Sequence, residues 1–199
     1  MCRHEEQLYQ CRLCRPNSPY FCKECHYTRG NKKYSGYCVQ CFVYKFPEDD
    51  RSKVAHIKHS EIKVRAFLVH EFPDRFTYNS RIVIGDCSAP YRRYIDFHTL
   101  IGGTLFAIEV DEHQHKSYDE KDQEARIHEI HNNIGIDKKM VFIRFNPDAY
   151  RKANGTRGRT TMADRLLSLR DVVQDILDHL SGGEDYDDVH TEIKLFYDE

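Results

Sequence analysis

The stretch Thr104-Leu105-Phe106-Ala107-Ile108-Glu109-Val110-Asp111 decides the fold. Read as a β-strand, its side chains alternate, so Phe106, Ile108 and Val110 share one face while Glu109 and Asp111 share the other. Two acids then project together from the end of an apolar run. Burying such charges is costly unless something compensates them, and a divalent cation is the usual compensation. The bland alternative is an exposed acidic strand end carrying no ion. Gly102-Gly103 marks a tight turn to a preceding candidate strand, Arg93–Phe97, whose Asp96 can reach the same spot across the hairpin.

Outward from this hairpin the pattern continues on both sides. Upstream, Arg81–Gly85 reads as a further strand of an antiparallel meander. Lys53–Glu71 reads as a helix with Val54, Ile57, Ile62, Ala66, Phe67 and Val69 near helical spacing, stopped by Pro73. Downstream, Asp119–Asn133 reads as a helix with Ala125, Ile127, Ile130 and Ile134 near one side and Gly135 at its C-terminal cap. Met140–Phe145 is an apolar strand ended by Asn146-Pro147. A Gly-, Arg- and Thr-rich loop, Asn154–Thr161, leads to an amphipathic helix over Ala163–Leu180, and the acidic tail ends in a short strand, Glu192–Tyr197. The order of elements predicts an α/β fold.

Composition allows one catalytic domain with a small appendage. A chain of 199 residues, 40% apolar with 13 Tyr and 11 Phe, can build a core, which excludes a wholly disordered protein. No apolar run approaches a membrane span, and Met1-Cys2-Arg3-His4-Glu5-Glu6 lacks the apolar stretch of a secretory signal; the expectation is an intracellular protein of nucleus or cytoplasm that binds no membrane. Residues 1–65 hold 13 Lys and Arg against 7 acids, whereas residues 180–199 hold 1 against 7. The basic end is where phosphate contacts are expected.

Six of the eight cysteines form three Cys-x-x-Cys pairs: Cys11/Cys14, Cys22/Cys25 and Cys38/Cys41. A turn of this kind offers two thiolates to one tetrahedral Zn²⁺. Two pairs fill one site, and Cys2 with His4 completes a second around the third pair, so two structural zinc ions are expected. Interleaved and sequential pairings are both compatible with the spacing, and His26 is a competing ligand. The segment from Met1 to Pro47 is short of aliphatic residues, so metal must stabilise it. The division that follows is a zinc module over 1–47, a catalytic domain over 53–180 and an acidic tail over 181–199. The redox reading of Cys-x-x-Cys lacks a surrounding thioredoxin-like βαβ unit. Lys32 and Lys33, among interleaved Tyr34, Tyr37, Arg12, Arg15 and Arg29, suggest contact with nucleic acid.

Tyr94-Ile95-Asp96-Phe97, Ile108-Glu109-Val110-Asp111-Glu112-His113-Gln114-His115, Arg126, Gly135 and Val141-Phe142-Ile143-Arg144-Phe145-Asn146-Pro147 together resemble the PD-(D/E)XK nuclease superfamily, in the branch near the very-short-patch repair endonucleases. The chain is also similar to predicted nucleases of large DNA viruses and protists that carry an upstream cysteine-rich segment, echoed here by Gly36-Tyr37-Cys38-Val39-Gln40-Cys41-Phe42. A virus-encoded origin fits that resemblance.

It implies a restriction-endonuclease-like αβββαβ core and metal-dependent hydrolysis of DNA phosphodiesters. Asp96 and Glu109 match the motif acids that bind Mg²⁺ or Mn²⁺, with Asp111 in the position of the usual lysine and completing the metal site. Glu61 matches an acid on the first helix that can join the site. His115 matches the branch's histidine, a general acid/base, and Arg126 is placed to contact phosphate. Tyr94-Ile95 stands where Arg-Pro is common. Homing, repair and restriction share this chemistry, and a homodimer is compatible with it. The rivals are a non-catalytic zinc-containing factor binding DNA or protein on the same scaffold and, with less support, a cross-braced ubiquitin-ligase module.

Overall fold

A computed structural model describes residues 7, 9, 10, 14, 15, 17–26, 28–55, 59–80, 94–115, 120–135, 138–184 and 186–199, with the backbone alone at 80, 113, 115, 120 and 133. It is a mixed α/β structure. In chain order come helices α1 (Val39–Lys45), α2 (Asp50–Lys53) and α3 (His59–Glu71), strands β1 (Thr77–Ser80), β2 (Ile95–Ile101) and β3 (Thr104–Val110), helix α4 (Glu120–Ile134), strand β4 (Met140–Phe145), helix α5 (Met162–Ser181) and strand β5 (His190–Leu195). The strands lie in one sheet in the order β1-β2-β3-β4-β5. β1, β2 and β3 are antiparallel, and β4 and β5 run parallel to β3.

β3 is the centre of this sheet and every one of its residues is buried. Phe106, Ile108 and Val110 join Val64 and Leu68 of α3 and Leu169, Val173 and Ile176 of α5 in one cluster. Leu105 and Ala107 point the other way, onto Ile130 and Ile134 of α4. The alternation that places Glu109 opposite Ile108 is therefore used: one face of β3 supports α3 and α5, the other α4. Gly102 (φ +58°) and Gly103 (φ +96°) make the β2–β3 turn, both in a region that disfavours a Cβ.

Several boundaries differ from the sequence expectation. The expected strand Arg81–Gly85 lies outside the described residues; β1 is Thr77–Ser80, where Tyr78 is buried opposite Phe97. The single helix expected from Lys53 is two, because α2 ends at Lys53 and its C-cap Val54 is 68% exposed. The buried face of α3 is Glu61, Val64, Arg65 and Leu68 rather than the apolar set centred on Ala66 and Val69. Two ionisable side chains with buried partners turned the helix, something hydrophobic periodicity cannot register. The acidic tail is also structural, since its residues His190–Leu195 complete the sheet beside β4.

Cys22, Cys25, Cys38 and Cys41 belong to the same buried cluster as Val64, Leu68 and Phe106. No described helix is long and apolar enough to cross a membrane.

Candidate metal centre and carboxylate site

The Sγ atoms of Cys22, Cys25, Cys38 and Cys41 all lie within 4.8 Å of one another. At a Zn–S distance of about 2.3 Å, tetrahedral coordination separates sulfurs by roughly 3.8 Å, so the cluster has the size for one zinc ion. Local structure builds it from two knuckles. Cys22 opens a turn closed by Cys22 N–H donating to the Thr28 carbonyl (2.7 Å) and His26 N–H donating to the Cys22 carbonyl (3.0 Å). Cys38 is the N-cap of α1, its Sγ accepting from Cys41 N–H at 3.5 Å, as Cys22 Sγ accepts from Glu24 N–H at 3.5 Å. Such N–H···S bonds favour thiolate.

The four thiols cannot all ionise beside each other without a cation. Their mutual hydrogen bonds push Cys25 well below the ordinary thiol range, through Cys22, Cys38 and Cys41, and push Cys41 well above it, through Cys22, Cys25 and Cys38 together with burial. A divalent ion bound by the four sulfurs would stabilise all of them as thiolates. Pairing Cys22/Cys25 with Cys38/Cys41 is the sequential arrangement; the interleaved one does not occur for these four. Cys2, His4 and Cys11, the other expected ligands, lie outside the described residues, while Cys14 is half-buried and not in a disulfide. His26, the competing ligand, is exposed.

A buried polar network joins the cluster to the α/β body. Arg65 Nη1 donates to Cys41 Sγ at 3.4 Å, and its guanidinium lies between the rings of Tyr44 (4.2 Å) and Tyr78 (3.9 Å). Glu61 accepts from Tyr78 Oη at 2.8 Å and from Gln40 Nε2 at 3.1 Å. Gln40 sits between the two cysteines of the second knuckle, so Glu61 is held from the cysteine-cluster side of the molecule. Sequence reading missed Arg65, because its burial depends on Cys41, Tyr44 and Tyr78, partners outside its own helix.

Asp96 and Glu109 meet where β2 and β3 part. The β2–β3 ladder runs from Ile101–Thr104 to Phe97–Ile108, and beyond it Asp96 Oδ2 accepts from Val110 N–H at 2.9 Å. Glu109 is 4% exposed, and burial, with the Asp96 charge next, pushes its pKa up to about 8 despite the opposing Arg126 guanidinium. Arg126 of α4 donates to Glu109 Oε1 and, at 3.1 Å, to the Tyr94 carbonyl. Its guanidinium thus caps the carboxylate instead of facing solvent.

Asp111 is fully buried and is ion-paired to Arg144 of β4, while Tyr197 Oη donates to the same Oδ2. Arg144 also donates to Gln123 Oε1 at 2.8 Å and lies 3.6 Å from Glu192. A small cleft bordered by Glu109, Gln123, Arg126, Arg144 and Glu192 opens beside these pairs. Among the described residues the cysteines alone form a tight group of three or more metal-binding donors. The expected three-carboxylate centre is not gathered in that way, because Arg126 and Arg144 stand against Glu109 and Asp111. The backbone of His115 lies in a 3-10 turn, Glu112–His115; its side chain is outside the description. Lys32 and Lys33 are exposed on another 3-10 turn, Lys32–Tyr34.

No protein-family model, no curated protein and no solved structure matches this chain.

Proposed function

We propose that the protein is a divalent-metal-dependent nuclease that hydrolyses DNA phosphodiester bonds, braced by structural zinc. The observation that carries this reading is the Asp96–Glu109 meeting point. Two carboxylates from adjacent strands lie together at the end of the buried central strand, where burial and the Asp96 charge push the Glu109 pKa up to about 8 even beside Arg126. Mg²⁺ or Mn²⁺ held there polarises a phosphodiester and acidifies a bound water. The α3-β1-β2-β3-α4-β4 order supports the same reading, since it repeats the order of a PD-(D/E)XK core. Arg126 occupies Glu109 as a resident monovalent partner that a divalent ion displaces. His115 is the proposed proton carrier and Asp111 holds Arg144 at the cleft. The exposed Lys32 and Lys33 are proposed to meet DNA phosphates, as is Arg126 once released from Glu109.

A second reading has its own observation. The Arg126–Glu109 and Arg144–Asp111 pairs already neutralise the acids, as befits a zinc-containing binding factor on a nuclease-like scaffold. Incubation of supercoiled plasmid with the protein in Mg²⁺ or Mn²⁺ separates the two. Nicking abolished by Asp96→Ala and by Glu109→Ala supports the nuclease. DNA retention without cleavage supports the binding factor.

A further inference from the structure

Residues 150–159 form a compact β-hairpin at the end of the sheet where β3, β4 and β5 finish. Lys152 N–H donates to the Thr156 carbonyl (2.9 Å), Gly155 N–H to the Lys152 carbonyl (2.7 Å) and Gly158 N–H to the Tyr150 carbonyl (2.9 Å), with Arg151 bridged to Arg157. Gly155 at φ +75° supplies the left-handed residue that a three-residue hairpin turn requires. The base is closely packed: a Cβ on Gly158 would fall 2.3 Å from the Tyr150 ring, and buried Arg165 donates to the Thr160 and Asn146 carbonyls at 3.2 and 3.1 Å.

Arg151, Lys152, Arg157 and Arg159 are all exposed on this hairpin, and among the described residues none of their side chains is paired with a carboxylate. The nearby acids serve its backbone instead. Asp198 Oδ1 accepts from Arg151 N–H at 2.7 Å and Glu199 Oε2 from Ala153 N–H at 3.0 Å. Arg151 and Arg157 stand directly opposite each other as like charges on an exposed pair, so a further anion against them is favoured.

The hairpin is tied to the carboxylate site through Gln114, three residues beyond Asp111. Gln114 Nε2 donates to the Ala149 carbonyl at 3.3 Å and to Asp198 Oδ1 at 3.1 Å, the oxygen that also holds Arg151. We infer that Arg151, Lys152, Arg157 and Arg159 form a phosphate-binding ridge that seats the backbone of duplex DNA beside the Asp111–His115 segment. This rests on the nuclease reading above. Such contacts position the duplex without reading its sequence.

The test is a salt titration of binding to a fluorescein-labelled mixed-sequence duplex by the zinc-loaded full chain, without added magnesium, alongside plasmid nicking with magnesium. With all four cations changed to Gln, affinity is expected to fall at least about tenfold and the log–log salt slope by about 3.6, since each phosphate contact contributes roughly 0.9. Arg151→Lys, Arg157→Lys and Arg159→Lys together keep the charge and are expected to keep the slope, which separates charge from a folding defect. If the wild type nicks DNA while the Gln variant keeps the wild-type slope, the ridge is overturned and the nuclease reading stands. If the wild type neither binds nor nicks DNA, both fall.

Discussion

Arg126 and Glu109, one on α4 and the other at the end of β3, are bound to each other at the same place where Asp96 meets β3. A guanidinium in this position does for the resting protein what a metal ion would do for the loaded one. It offsets a carboxylate buried next to a second carboxylate, without matching the charge of a divalent cation.

Arg126→Gln separates those two roles. Removing one partner of a buried pair leaves the other uncompensated, so the metal-free variant is expected to lose about 3 kcal/mol by urea denaturation. Its Mn²⁺ affinity should rise, because the competing cation is gone. A variant that loses stability and binds Mn²⁺ more weakly than wild type would show that Arg126 orders the site instead of guarding it.

The raised pKa of Glu109 sets a pH dependence. Between its unfolded value of 4.5 and about 8 the folded carboxyl keeps a proton that the unfolded chain has released, so this group lowers stability as pH rises across that window. From pH 6.5 to 8 the metal-free wild type should lose about 2 kcal/mol relative to Glu109→Gln. His98 acts in the opposite direction. Burial pushes its pKa down to about 4, so stability is lost as pH falls from 6.5 towards 4. Parallel urea midpoints for wild type and Glu109→Gln check the first window.

Arg65 ties a cysteine ligand to the sheet. Arg65→Ala removes the bond to Cys41 and the stacking on Tyr44 and Tyr78, and should cost about 3 kcal/mol. It should also speed zinc loss to a colorimetric chelator. Unchanged release kinetics would mean that the guanidinium serves packing alone.

Zinc content tests the ligand assignment. The zinc-loaded chain should carry about two equivalents, and Cys41→Ser about one, with Co²⁺ substitution giving the charge-transfer bands of a four-thiolate centre. Two equivalents retained in Cys41→Ser would contradict the Cys22, Cys25, Cys38, Cys41 cluster.

Much of the architecture was legible because β3 and β4 are continuous apolar runs and α5 has a clean amphipathic stripe, signals that survive without tertiary context. The chelating cysteines were legible for the same reason, since two ligands of each knuckle are neighbours in sequence. What escaped was long-range. Arg144 and Tyr197 reach Asp111 from 33 and 86 positions away, and Tyr78 and Gln40 reach Glu61 from 17 and 21. Pairing of this kind turned α3 by burying Glu61 and Arg65, and it put cations where a converging carboxylate triad was expected. The hairpin cations stood out only as an Arg-rich loop, because their neighbourhood to Asp111 depends on Gln114 and the C-terminal residues.

The nuclease reading requires Asp96 and Glu109 to share a divalent ion. Titration of the zinc-loaded protein with Mn²⁺, followed by the loss of the free-ion paramagnetic resonance signal, measures that site itself. One saturable site is expected, tightening as pH rises towards 8 and disappearing in both Asp96→Asn and Glu109→Gln. Saturable Mn²⁺ binding that persists in both variants, or no saturable binding at any pH up to 8, would contradict it.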